Sequence, residues 1–190
     1  MTFTLKKAAL AAAAFVAMTG QAFAQDILVV DMNKVYADSK VGKYITSQMK
    51  TLASSDEATL KSRASSLEAT AKSLEGRVKG KDITAIRADT SLTTQLTDFQ
   101  KRQGELARDA QIKSAELQYT QASARAEVNK RLKGIFDSIA RERNASAILE
   151  QGAVLYLPNS STADITSTVI QRLDGQMTTV SVARKSLPRQ

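Results

Sequence analysis

The sequence predicts a mainly α-helical protein with a small β body: a long antiparallel, coiled-coil-like helical hairpin projecting from a β-containing oligomerisation body formed by both chain ends. Three observations carry this prediction. No proline occurs between Val41 and Arg143, where one inside a helix would cost about 3 kcal/mol. Apolar or small residues recur along both halves of that span at alternating spacings of four and three, which is a heptad stripe. Short β-type runs are confined to the two ends.

The chain opens with Lys6 and Lys7, an alanine-rich apolar stretch from Ala8 to Met18, and Ala22-Phe23-Ala24. A basic start, a short apolar stretch and a small-x-small end make a secretory signal peptide over 1–24, cleaved after Ala24. The apolar stretch is well short of the roughly 20 residues that span a bilayer. The expected location is the periplasm. Loss of Lys6 and Lys7 would lower the formal charge from +8 to +6.

Ile27-Leu28-Val29-Val30-Asp31 reads as a buried strand. Asp38-Ser39 offers capping groups, and helical spacing begins near Val41. The first stripe passes through Leu60, Ala64, Leu67, Ala71, Leu74 and Val78. Two glycines and a possible N-cap at Asp82 place the hairpin tip at about 76–82. The second stripe runs from Leu92 through Leu96, Phe99, Gln103, Leu106, Ala110, Lys113 and Leu117, then becomes more apolar through Ala124, Val128, Leu132, Ile135 and Ile139. The returning arm reads as about 25 residues longer than the outgoing one, roughly 40 Å at 1.5 Å per residue, so its end must enter the body. Gly76, Gly104 and Gly134 are candidate hinges.

Past Arg143, Ala147-Ile148-Leu149 and Ala153-Val154-Leu155-Tyr156-Leu157 read as two further strands, followed by a loop at Pro158. Asp164 caps a short helix carrying Ile165, Val169, Ile170 and Leu173, ended by Gly175. Residues 25–40 and 144–175 thus form the body, 41–143 the hairpin, and 176–190 a flexible basic tail. A body of so few ordered residues, without a cysteine for disulfides, rarely builds a sufficient core alone. Its sheet edges would need covering, so the strands are expected to combine across subunits.

Composition narrows function. With no His and no Cys, the usual general base, thiol nucleophile and most zinc sites are absent. Ser47-Gln48-Met49-Lys50 matches a Ser-x-x-Lys pattern, but its Ser-Asp-Asn and Lys-Thr-Gly partners do not occur. No phosphate loop is present, so no enzyme activity and no cofactor are expected. The basic balance suggests an anionic partner, and export disfavours nucleic acid.

The residues quoted for the first strand, the pair Ala147-Ile148-Leu149-Glu150 and Gly152-Ala153-Val154-Leu155-Tyr156, and Asp164-Ile165-Thr166 with Val169, Ile170 and Leu173, resemble the Skp/OmpH family of periplasmic chaperones. The resemblance covers the mature chain apart from its last fifteen or so residues. It implies a homotrimer whose hairpins surround a cavity and hold unfolded outer-membrane β-barrel proteins without ATP. On this reading Ile27, Val29, Ile148, Val154, Tyr156, Ile165 and Val169 belong to the trimerisation body. Lys72, Arg77, Lys79, Lys81 and Arg87, with the apolar tip residues Val78, Ile83 and Ile86, are candidates for contact with client, lipopolysaccharide or an anionic lipid surface. The other reading is a structural or adaptor coiled coil of the envelope that binds no client. The two differ in whether apolar groups on the hairpin stay accessible or are all buried.

Overall fold

The computed structural model describes residues 27–158 and 161–187. The signal-peptide reading and the last three residues lie outside that range. Strand β1 (Ile27–Val30) is followed by helices α1 (Met32–Asp38), α2 (Lys40–Val78), α3 (Ile83–Ala88) and α4 (Thr90–Arg143), strand β2 (Ala147–Glu150) and helix α5 (Thr166–Gln176).

The starts of α1 to α4 are each set by a side chain that takes an otherwise unpaired N–H. Asp31 accepts from the Lys34 amide, Ser39 from that of Gly42, Asp82 from that of Ala85 and Asp89 from that of Leu92. The Asp89 cap makes the returning arm two helices, α3 and α4, where the heptad reading expects one. At the far end of α4, Asn144 stops the helix in the left-handed conformation, with φ of 51°, which asparagine tolerates better than most residues.

The chain ends meet. β1 pairs in parallel with β2, with Ile27 opposite Ala147 and Val30 opposite Glu150. On its other edge the Val29 amide donates to the Ala163 carbonyl (2.8 Å) and the Val29 carbonyl accepts from the Ile165 amide (2.9 Å). β1 is thus the middle of the sheet. The Asp31 amide donates to Thr166 Oγ1 at 2.9 Å, joining the two segments that are most distinctive in the sequence. Leu28, Val30 and Val35 pack there with Leu132, Ile135 and Ile139 of α4 and with Ile165, Val169 and Leu173.

Two expectations are corrected. Residues 153–157 do not form a strand. Gln151–Ala153 is a 3-10 turn directly after β2, and 154–157 run without a sheet partner, although the outer edge of β2 carries no strand among the described residues. The basic tail is not loose over its described length. Residues 177–187 lie along the base of the hairpin, with Met177, Val180 and Val182 packed on the core.

Helices α2 and α4 continue unbroken through Gly76, Gly104 and Gly134. The close-packed glycine is instead Gly42. A Cβ there would lie 1.8 Å from the Tyr36 carbonyl oxygen, so only glycine lets α1 turn back against α2.

Candidate functional site

The arms touch at their ends and separate in between. Leu74 and Leu92 are buried together near the tip, and Val41, Ile45, Ala124 and Val128 at the base. Between these closures Leu60, Leu67, Phe99, Leu106 and Leu117 are only half-buried, while Ala64 is exposed. They line an apolar cleft of about 1080 Å³ between α2 and α4. The stripe legible in the sequence is therefore partly open to solvent. Its physical cause is composition: Ala53, Ala64, Ala71, Ala107 and Ala110 line the cleft beside the leucines, with Gln103 and Lys113 at seam positions. Two apolar positions per heptad cannot then fill the interface.

At the tip, Asp89 gathers cations. Its carboxylate lies 3.5 Å from Arg77 and 3.4 Å from Lys81. The Leu92 amide, more than these cations, holds that carboxyl below its ordinary range. Lys72 pairs with Glu68 at 2.9 Å. Lys79 and Arg87 are exposed and make no ion pair among the described residues. Ile83 is 67% exposed, whereas Val78 and Ile86 are half-buried. The tip therefore presents a mixed basic and apolar surface, with Arg77 and Lys81 partly neutralised.

The seven residues assigned to the body divide. Val29, Ile165 and Val169 are buried in the chain's own core, and Ile148 packs against it. Val154 is half-buried. Ile27 at 52% and Tyr156 at 78% stay exposed, as does Leu155, whose side chain stands fully in solvent. Leu155 is not among those seven, although its position within the apolar run 153–157 marks it. Together with Leu149 of β2, 39% exposed, these three residues form an apolar surface on the described part of the body.

An ion cluster joins the arms below the cleft. Asp56 of α2, 6% exposed, accepts from Lys113 Nζ of α4 (2.8 Å) and from Arg184 Nη2 of the tail (2.7 Å). Burial alone would raise its carboxyl, but the two hydrogen-bonded cations outweigh burial and hold it below the usual range. Arg184 also lies 3.5 Å from Glu116 of α4. Farther out, Arg63 and Asp109 form another pair between the arms.

A second polar tie fixes α5 to α4. Arg172 makes a two-pronged bond to Glu142 at 2.8 and 2.5 Å. With Ser138, it holds the Glu142 carboxyl at about 2. A carboxylate whose folded pKa is lowered stabilises the fold above its unfolded value, and that contribution disappears as pH falls through the folded one. The stability difference between the natural chain and Glu142→Gln should therefore be complete above pH 4.5 and shrink toward pH 2. Urea midpoints at pH 7, 4.5 and 3 check this, and a difference independent of pH would contradict the assignment.

The described residues hold no cluster suited to a metal ion and no helix long and apolar enough to cross a membrane. A small β-centred body carrying a long, incompletely closed helical hairpin defines the fold class. The family model "Outer membrane protein (OmpH-like)" matches residues 26–173, and the chain belongs to this OmpH-like family. In fold it is similar to the crystal structure of an OmpH-like candidate outer-membrane chaperone from Caulobacter crescentus. The TM-score is 0.73 at 22% identity, covering 87% of this chain and 94% of that one. Comparison with curated protein sequences finds no match. The family is one of chaperones and is non-enzymatic.

Proposed function

We propose that the chain is an ATP-independent periplasmic holdase that keeps unfolded outer-membrane β-barrel proteins from aggregating. After cleavage behind Ala24, three copies would join through their bodies, with Ile27, Leu155 and Tyr156 at the subunit contacts, and their hairpins would enclose a cavity. The observation that carries this reading is the half-buried apolar stripe along the arms. A structural adaptor gains by burying such a stripe completely, whereas a holdase needs apolar groups within reach of an unfolded chain. Many weak contacts of this kind hold a client without fixing its conformation.

Charge supplies the capture. Lys72, Lys79 and Arg87 lie on exposed positions of the outer hairpin, and unfolded barrel proteins that are acidic overall would be drawn in over a distance set by ionic strength. The same surface suits lipopolysaccharide or an anionic lipid surface. No specific nucleic acid is expected, since basic proteins bind it without selectivity.

The test is light scattering as a urea-unfolded barrel protein is diluted into buffer without detergent or ATP. With residues 25–190 present in threefold excess, scattering should be suppressed, and more strongly at low salt than at high salt. Unchanged scattering at every ratio, from a protein still folded and oligomeric, would leave the adaptor as the reading.

A further inference from the structure

The tail is an extended peptide seated on helices. From Val180 to Lys185 its burial alternates strictly: Val180, Val182 and Arg184 face inward, while Ser181, Ala183 and Lys185 face out. A period of two is the side-chain repeat of an extended strand, yet no strand pairs with this segment. Val180 and Val182 pack on the core. One inward position further on, Arg184 reaches Asp56 on α2 and Glu116 on α4. The Lys185 amide donates to Thr120 Oγ1 of α4 at 3.0 Å. Two carboxylates and an apolar surface are thus set to receive a chain written apolar-x-apolar-x-cation.

We propose that this groove at the hairpin base is a binding site for extended segments of unfolded protein with alternating apolar side chains, and that residues 177–187 are its built-in competitor. The client half of the proposal rests on the holdase reading given above. The tail's alternation is the pattern of a β-barrel strand, which is apolar on one face only. The groove recognises it through side-chain parity and one cation, with Lys185 anchored through its backbone amide. Because the tail is tethered, it refills the groove whenever a client segment leaves. Its hold is partly ionic, so salt loosens it. With the tail in place, Arg184 also bridges α2 and α4 beneath the cleft, beside the direct Lys113–Asp56 pair.

The experiment uses a fluorescent peptide of residues 177–187 and anisotropy. It should bind saturably to the chain ended at Gln176, and at least about tenfold more weakly to residues 25–190, whose own tail competes. Because tail removal strips Met177, Val180 and Val182 from the core, the full chain carrying Arg184→Gln is tested beside it and should bind the peptide more tightly than the natural chain. Peptides with Arg184→Gln, or with Val182 and Ala183 exchanged to break the alternation, should each lose about tenfold. An unfolded barrel protein should displace the bound peptide. Absence of peptide binding to both altered chains, each still oligomeric and helical, would overturn the proposal. So would bound peptide that no unfolded barrel protein displaces while the same chain suppresses scattering. Failure of every chain to suppress scattering would instead remove the holdase reading, and the client half of the proposal with it.

Discussion

Replacement of Gly42 by alanine should destabilise the protein by about 3 kcal/mol or more, seen as a fall of roughly 10 °C in the thermal midpoint. The added methyl would meet the Tyr36 carbonyl oxygen at 1.8 Å and its carbon at 2.7 Å. Both are backbone atoms of α1. That helix is held by Val35 in the core, by the Tyr36 hydroxyl on Asn129 Oδ1 at 2.7 Å, and by Arg125 stacked 4.8 Å from the Tyr36 ring. The corner cannot open without disturbing the base of α4. Gly104→Ala is the matched control. A Cβ there meets nothing within 4 Å, so better helix propensity should stabilise that variant by about 1 kcal/mol. Thermal melts followed by circular dichroism separate the two. A Gly42→Ala midpoint within about 2 °C of the natural protein would mean that α1 does not turn as described.

The second large effect is expected at the body's surface. A chain of residues 25–190 carrying Leu155→Ser and Tyr156→Ser should sediment as a monomer, where the same chain without the changes is expected to sediment as an oligomer. Neither side chain contributes to the subunit's own core, at 104% and 78% exposure. Their loss should therefore leave the helix content intact. Fully burying one large apolar side chain is worth about 1.5–3 kcal/mol, and an interface repeated around a closed ring loses that amount at each contact. Sedimentation velocity across a hundredfold concentration range reads the result. An unchanged oligomer would place the subunit contact elsewhere, and unfolding of the monomer would show that 154–157 support the fold from within.

Much of the architecture was legible because it rests on repetition. Leu60 to Val78 and Leu92 to Leu117 announce two helices through spacing alone, and the β-type runs at Ile27 and Ala147 announce where the ends belong. What spacing cannot report is how fully two stripes close. The cleft depends on how alanine volumes sum across the two arms, which requires the register between α2 and α4. Helix α1 was invisible because its seven residues are too few to show a period. The Asp89 break was hidden because one capping aspartate among many surface carboxylates has no distinctive neighbourhood. The tail is the instructive miss. Val180-Ser181-Val182-Ala183-Arg184 carries a period-two signal in plain view, but a strand signal with no strand to pair with reads as a polar tail. The run 153–157 is the reverse case, a strand signal that takes no sheet partner among the described residues.

The central place of β1 in the sheet also constrains the order of events during biogenesis. The strand precedes both of its neighbours, 147–150 and 163–165, by more than a hundred residues. The arms between them depend on contacts within each helix, which form early and fast, whereas pairing at such sequence separation is slow. The hairpin should therefore exist as a nascent structure while Ile27–Val30 still waits as an unpaired apolar strand. For that interval the chain is itself an aggregation-prone polypeptide, and only the arrival of its last quarter closes the sheet.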